Sequence, residues 1–330
     1  MNTKLYVQIF VVLLFLSCPV FAQMDPSLHR VPETLLHKKP AELIKQWEGS
    51  SHGEQEAIQD LLFDNITESS LELRNKIVTG TQKEKLFACK MIAQMKDAES
   101  VPTLIQAIDD PSDKIKARAI LSLKELHANQ AADGVRQQML KTKSKSVLKV
   151  SMIALGSFGD SQDVPRLRAY LPDTGFRTRG LLPDESVCVN AAAALALLGK
   201  YDGQALLLRA THSTNPVVKK EAIYSLGFVN TSDSQRRLQE IISDPNGQWK
   251  SYAEMALTQQ KLMTSNTPQK IQILEKLVKD KSPRLSEWAV ERIAEIDDSR
   301  AGDILGIVEK NKTEAGRKAS RLLKVREGGR

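Results

Sequence analysis

Small and aliphatic residues recur along this chain in pairs that stand four positions apart. In seven of the eight pairs the first member is alanine, and Ser151 is the exception. The aliphatic members follow one another at intervals of 31, 32, 40, 31, 31, 36 and 30 residues. The pairs are Ala88/Ile92, Ala119/Leu123, Ser151/Leu155, Ala191/Leu195, Ala222/Leu226, Ala253/Leu257, Ala289/Ile293 and Ala319/Leu323. Self-similarity at a fixed period of about 20–50 residues predicts a solenoid.

The segment from residue 215 to 242 illustrates one repeat. Val218, Ala222 and Leu226 are spaced four residues apart, which places them on one face of an α-helix. Asn215 and Pro216 suit the start of that helix, since asparagine caps free N–H groups and proline fits the first turn. After the polar run NTSDS, a second apolar set begins, made of Leu238, Ile241 and Ile242. The sequence therefore predicts an all-α solenoid of stacked antiparallel helix pairs with a period of about 31.

An aspartate stands near the turn between the two helices in several repeats. The residues are Asp97, Asp160, Asp202, Asp233 and Asp298. A side-chain carboxylate at this position can cap the second helix or close the turn. We expect all five to do so. The alanines of the pairs are expected to let neighbouring helices approach closely.

These repeats resemble HEAT-type repeats, specifically the short HEAT-like class that is also found in phycobilin lyases. The matching stretches include KARAILSLKEL, VCVNAAAALALLGKYDGQALL and LSEWAVERIAEIDDSRAGDIL. The resemblance covers about residues 83–326 and implies the solenoid fold, but HEAT-like solenoids serve unrelated tasks. The predicted organisation is a signal peptide (1–22), an N-terminal helical cap with a degenerate repeat (23–82), the solenoid (83–326) and a basic tail (327–330).

The first 22 residues have the pattern of a secretory signal peptide. A short segment with Lys4 precedes the apolar run LYVQIFVVLLFL, and Ala22 ends a stretch suited to cleavage. That run is shorter than the ~20 residues of a membrane-spanning helix, and no later stretch is apolar enough to span. We expect an exported chain, periplasmic or extracellular, that starts at Gln23. The alternative is a lipoprotein anchored at Cys18, because FLSC partly resembles a bacterial lipobox.

Cleavage after Ala22 would leave two cysteines, Cys89 and Cys188. They lie in the first and fourth clear repeats, several helix diameters of about 8–10 Å apart, whereas a disulfide needs Cα atoms within about 7 Å. Both are therefore expected to be buried thiols. The 47 basic and 40 acidic residues make the chain mildly basic, which a solvated helical surface explains.

The longest interval between repeats identifies a candidate binding segment. The interval of 40 reflects an insertion at residues 171–186, LPDTGFRTRGLLPDES, which carries Phe176, Arg177 and Arg179, with Arg166 and Arg168 just upstream. Insertions in solenoids become loops on one face, and arginine binds carboxylates and phosphates in a bidentate manner. We expect these five residues to hold an anionic group of a protein partner. The alternative is an ordinary solvated loop.

No catalytic or metal-binding motif is present in the sequence. The five histidines lack the HExxH spacing of zinc enzymes, and there is no phosphate-binding glycine loop, GxSxG or CxxC. Deoxyhypusine hydroxylases, which are HEAT-like, use His-Glu pairs that this chain lacks. We expect a protein-binding scaffold without cofactor, metal or nucleic acid. The alternatives are a lyase-like enzyme on a HEAT-like frame and a lipid-anchored envelope adaptor. The N-x-S/T triplets at Asn65, Asn230 and Asn311 leave glycosylation open.

Overall fold

A computed structural model describes residues 31–172 and 184–328. These residues form nineteen α-helices and no β-strand, and the fold is an all-α solenoid of antiparallel helix pairs, as predicted. The N-terminal region holds α1 (Glu33–Leu36), α2 (Pro40–Trp47), α3 (His52–Asp64) and α4 (Ile66–Thr79). The first helices of the repeats are α5 (Gln82–Gln94), α7 (Asp113–Glu125), α9 (Lys145–Phe158), α11 (Glu185–Leu197), α13 (Pro216–Leu226), α15 (Lys250–Thr264), α17 (Pro283–Ala294) and α19 (Glu314–Gly328). The second helices are α6 (Val101–Ala107), α8 (Ala132–Lys141), α10 (Val164–Arg168), α12 (Gln204–Ala210), α14 (Ser232–Ile242), α16 (Thr267–Leu277) and α18 (Ser299–Val308).

The described residues divide into two compact units. The N-terminal unit comprises residues 31–134 and 321–328, and the C-terminal unit comprises residues 135–172 and 184–320. Within the N-terminal unit, α5 packs on α4 and α7. Within the C-terminal unit, the first helices pack in sequence, α9 on α11, α11 on α13, α13 on α15 and α15 on α17. Each first helix therefore contacts the first helix of the next repeat in that unit.

Three of the five turn aspartates act as predicted. Asp97, Asp160 and Asp298 each accept a hydrogen bond from the backbone N–H two residues on, at 3.2, 3.0 and 2.8 Å. The prediction is wrong for Asp233 and Asp202. Asp233 lies inside α14, whose capping hydroxyl belongs to the preceding threonine. The carboxylate of Asp202 instead accepts two hydrogen bonds from an arginine of the preceding repeat.

A left-handed residue ends the first helix in four successive repeats. Lys96 (φ 55°), His127 (φ 54°), Gly159 (φ 78°) and Gly199 (φ 70°) occupy this position. Their intervals of 31, 32 and 40 residues reproduce the intervals of the alanine–aliphatic pairs. Such a residue reverses the chain after a helix, and glycine does so without a steric cost. The turn into the second helix is thus built the same way in repeats that share little sequence there.

The solenoid core contains most of the predicted pairs. Fourteen of the sixteen paired residues are buried, and the exceptions are Leu257 and Leu323, which are half-buried. In α15 the buried face passes through Ala253, Ala256 and Gln260 instead of Leu257. The Gln260 amide donates to the carbonyls at the end of α13 at 2.8 and 2.9 Å, so a polar side chain takes the inner position. Leu323 lies in the last part of α19, which belongs to the N-terminal unit, whereas the other member of its pair, Ala319, belongs to the C-terminal unit.

The first helices approach closely where small residues face each other. A Cβ atom added to Gly156 of α9 would lie 2.7 Å from the Cα atom of Ala194 in α11. One added to Gly227, after α13, would lie 3.1 Å from the Cα atom of Ala256 in α15. None of these four residues is an alanine of the predicted pairs, so the close approach expected at the paired alanines stays a prediction.

The last part of α19 packs in the N-terminal unit against α3. Arg321 donates to Asp60 at 2.7 Å and to Glu56 at 2.9 Å, and Lys324 pairs with Asp64 at 2.5 Å. These are ion pairs between residues about 260 positions apart in sequence. Helix α19 continues to Gly328, within the predicted basic tail, and the last two residues lie outside the described residues.

Candidate functional site

The predicted binding arginines are only partly within the described residues. Phe176, Arg177 and Arg179 lie outside them. Arg168 donates to both carboxylate oxygens of Asp202, at 3.0 and 3.1 Å. Arg166 donates to a backbone carbonyl at 3.3 Å and has a long ion pair of 3.7 Å. The side chains of Arg166 and Arg168 are 43% and 44% exposed, so both keep a solvent-facing edge.

The bidentate pair of Arg168 belongs to a series of arginine–aspartate pairs at the turns. Arg74 on α4 donates to Asp97 at 2.8 and 2.7 Å. Arg136 on α8 donates to Asp163, which is fully buried, at 2.8 Å. In each case the arginine of one helix pair neutralises a carboxylate in the next turn. Of the five recurring aspartates, Asp97, Asp160 and Asp202 thus pair with an arginine of the preceding helix pair, whereas Asp233 pairs with Arg236 of its own helix.

A second polar group links three first helices of the C-terminal unit. The Glu221 carboxylate on α13 is 3% exposed. It accepts from Lys149 of α9 at 3.3 Å and from the Asn190 amide of α11 at 2.9 Å. Burial raises the pKa of Glu221, and the Lys149 ammonium opposes that rise. We call this group the Glu221 cluster, and its charges are compensated internally.

Next to it lies a group of aromatic and basic side chains on α13, α15 and α17 and at Trp249, which immediately precedes α15. The Arg284 guanidinium stacks on the Tyr252 ring, with 4.1 Å between Cζ and the ring centroid. The Lys219 Nζ atom lies 5.5 Å from the centroid of the Trp249 ring. The two rings adjoin each other, with 5.7 Å between their centroids. Together with Lys220, these residues form what we call the cation–aromatic patch, and all five are half-buried.

The basic groups of the cation–aromatic patch differ from several other half-buried cations, although not from Lys90 of α5, which also has no ion pair in the described residues. Within residues 31–172 and 184–328, Lys219, Lys220 and Arg284 form no ion pair with a carboxylate within 4 Å. By contrast, Lys149 pairs with a glutamate, and Lys318 on α19 pairs with two glutamates of α17 at 2.7 and 3.5 Å. Burial lowers the pKa of Lys220; an adjacent glutamate counteracts this, and Arg284 adds to the lowering. The patch thus concentrates positive charge that the described part of the chain does not neutralise.

Sequence reasoning missed the cation–aromatic patch, and the repeat period gives no signal for it. Lys220, Tyr252 and Arg284 stand two, one and five residues before the alanines of their repeat pairs, so they do not occupy equivalent positions in successive first helices.

The cysteines carry thiols, as predicted. Among the described residues, Cys89 and Cys188 are both buried and are not joined in a disulfide. Burial raises the pKa of the Cys89 thiol to about 12 and also raises that of Cys188. In the described residues, no three histidine, cysteine or acidic side chains come together as metal ligands. None of the helices in those residues combines the length and apolar character that a membrane crossing requires.

Comparison with known proteins identifies the class to which the chain belongs. The profile of the family described as HEAT repeats matches residues 72–149, 101–182 and 178–258. These overlapping matches extend from residue 72 to 258, more than half of the 330 residues. The chain belongs to the HEAT-repeat proteins. No curated protein matches its sequence.

Several solved structures are similar at low sequence identity. The complex of CpcE and CpcF of phycocyanin lyase from Nostoc sp. PCC7120 has a TM-score of 0.40 and 16% identity, covering 77% of this chain and 93% of the matched one. YibA of Escherichia coli has a TM-score of 0.35 and 14% identity, covering 88% and 97%. Human deoxyhypusine hydroxylase in complex with glycerol has a TM-score of 0.32 and 13% identity, covering 88% and 95%. These similarities are too low to carry a ligand, partner or reaction over to this chain.

Proposed function

We propose that this chain is an exported protein-binding scaffold of the periplasm or the extracellular medium. The observation that carries the proposal is membership of the HEAT-repeat proteins, which generally act as protein-interaction modules. Stacked repeats present extended surfaces, and a partner can contact several repeats at once. The scaffold holds its partner without transforming it.

Export is the part of this proposal that rests on residues 1–22. The charged start, apolar run and Ala22 support cleavage before Gln23. N-terminal sequencing of the chain recovered from its native host, fraction by fraction, tests this. A terminus at Gln23 in the periplasm or medium is expected. A lipid-modified Cys18 would replace the soluble scaffold with a membrane-anchored one, and an intact Met1 in the cytosol would refute export.

The arginine-rich segment remains a proposed contact. Arg166 and Arg168 keep exposed edges, and Arg177 and Arg179 follow in the insertion. A charge-assisted hydrogen bond from arginine contributes about 1.5–3 kcal/mol, so two of them account for at least about a tenfold change in affinity.

Capture of partners with the tagged exported chain, followed by a titration with the purified partner, tests the scaffold role. We expect saturable binding of at least one envelope or secreted protein that an unrelated helical bait does not retain. An Arg177→Ala/Arg179→Ala variant should bind at least about tenfold more weakly. Arg236→Ala removes an exposed arginine elsewhere and should change little. If no captured protein binds in the purified system, the scaffold proposal fails; if both variants behave like the wild type, only the role of the insertion fails.

A further inference from the structure

The cation–aromatic patch has the features of a preorganised anion site. Stacking on Tyr252 fixes the plane of the Arg284 guanidinium while its edge N–H groups stay available. A planar guanidinium held in this way matches the two oxygens of a carboxylate. Lys219 is held against Trp249 in the same manner, so the two cations do not lose as much freedom on binding as isolated side chains would.

The charges around the patch favour an anion in which carboxylates are carried on a flexible segment. Lys219, Lys220 and Arg284 have no ion-paired carboxylate within 4 Å in the described parts of the chain. Glu254 lies 4.0 Å from Lys250, the residue that follows Trp249. Burial raises the pKa of Glu254, and Asp280 adds to that rise. Since the proposed role is the binding of a protein, an acidic segment of that partner is the anion whose charge complements these cations. The faces and edges of Trp249 and Tyr252 can also contact the methylene groups of glutamate.

We propose that the cation–aromatic patch of Lys219, Lys220, Trp249, Tyr252 and Arg284 binds an acidic segment of the partner protein through at least two carboxylates. The two adjacent cation–ring pairs accept one carboxylate each. This inference rests on the proposed scaffold function and adds the chemistry of the partner. It also places a contact in described residues, apart from the insertion at 171–186.

Binding of a defined probe tests the patch without a known partner. The probe is a fluorescein-labelled tetraglutamate peptide, with tetraglutamine as its neutral match, titrated with the purified chain and read by fluorescence anisotropy. Lys219→Gln/Arg284→Gln should weaken tetraglutamate binding at least about tenfold. The matched control is Arg236→Gln/Lys279→Gln, which removes the same charge from exposed side chains of the same unit and should change affinity less than about twofold.

Tyr252→Leu separates a built site from general electrostatic attraction. This substitution leaves the charge unchanged but removes the ring on which Arg284 stacks. We expect weaker tetraglutamate binding with an unchanged circular dichroism spectrum and thermal transition. If this variant unfolds, Trp249→Leu provides the second test, because it also keeps the charge and removes the ring that Lys219 contacts.

The remaining outcomes decide against the carboxylate site or against the scaffold function, and they distinguish the two. Equal losses in both double variants would show diffuse charge attraction, and equal binding of tetraglutamine would show that carboxylates are not recognised. Stronger competition by a single-stranded oligonucleotide than by unlabelled tetraglutamate would indicate a nucleic-acid site, and stronger competition by inorganic phosphate would indicate a phosphate site. A native partner that binds the wild type and the Lys219→Gln/Arg284→Gln variant alike would refute this inference while leaving the scaffold function intact. Tetraglutamate binding without any native protein partner would refute the scaffold function instead.

Discussion

Replacing Ser151 by alanine should stabilise the protein. Ser151 is fully buried in α9, at the one position of the repeat pairs where alanine is missing. Its hydroxyl has no hydrogen-bond partner among the described residues. By contrast, Ser225 of α13 donates to the carbonyl of Glu221 at 2.7 Å. Ser151→Ala therefore removes a hydroxyl oxygen without a hydrogen-bond partner, whereas Ser225→Ala removes one whose hydroxyl donates a hydrogen bond.

The magnitude follows from the cost of a buried polar group. A buried hydroxyl without a partner costs about 1–3 kcal/mol. Alanine also has a better helix propensity than serine, by a few tenths of a kcal/mol. The small space left by the removed oxygen offsets part of this gain. We therefore expect Ser151→Ala to raise the free energy of unfolding by about 1–2 kcal/mol, and Ser225→Ala to change it by between zero and about −1 kcal/mol.

Urea unfolding followed by far-ultraviolet circular dichroism measures both variants. Repeat arrays do not always unfold in one step, so amide hydrogen exchange of α9 provides a local measure of the same change. Protection in α9 should increase for Ser151→Ala. A loss of stability in this variant, or an equal effect of Ser225→Ala, would show that the Ser151 hydroxyl has a partner in solution, such as a bound water.

Three further substitutions test packing and capping, each by urea unfolding. Gly156→Ala should cost about 1–3 kcal/mol, because the new Cβ atom would lie 2.7 Å from the backbone of α11. The control Gly306→Ala in α18, where nothing lies within 4 Å, should stabilise the protein by up to about 1 kcal/mol. Equal effects of the two substitutions would contradict the close helix contact. Leu226→Ala should cost about 2–5 kcal/mol, because Leu226 is fully buried, and a loss below ~0.5 kcal/mol would place it outside the core. Asp184→Ala should cost about 1 kcal/mol at pH 7 through loss of the α11 cap. Hydrogen bonds from Lys145 and from Ser186 lower the pKa of Asp184 to about 2. The stabilisation that Asp184 provides is therefore present above pH 3.8 and should disappear as the pH falls towards 2. A cost of Asp184→Ala that persists near pH 2 would refute the role of the carboxylate as the cap.

The fold could be predicted from sequence because burial between layers constrains every repeat in the same way. A first helix packed on both neighbours needs a small residue at close contacts and an aliphatic one a turn later, as at Ala222 and Leu226. The pattern failed at Leu257, where a longer helix places Gln260 inward and satisfies its amide with backbone carbonyls. The local pattern of apolar residues cannot indicate a hydrogen bond whose acceptors lie at the end of another helix.

The candidate site was less predictable because charges on a helix surface follow no packing rule. The sequence suggested Arg168 because of its position near an insertion, but its partner Asp202 lies in the next repeat. Whether a cation is neutralised depends on which side chains the stacking brings together, and sequence distance does not show this. No sequence pattern distinguishes Lys219 and Arg284, yet in the structure they contact aromatic rings instead of carboxylates.

The Glu221 cluster provides a direct test of how much a neutralised pair of charges contributes to the stability of the C-terminal unit. Removing one partner of a buried ion pair costs about 3–5 kcal/mol, since the other charge stays buried alone. Lys149 keeps some solvent contact, with 13% of its side chain exposed, so we expect Glu221→Gln to cost about 2–3 kcal/mol. The amide oxygen of the new glutamine can still accept from Asn190, so the local shape is kept. Lys149→Met/Glu221→Gln should recover most of the loss, because neither charge then remains. Additive losses in this double-mutant cycle, measured by urea unfolding at pH 7, would show that the two charges do not interact and that α9 and α13 are joined by other contacts.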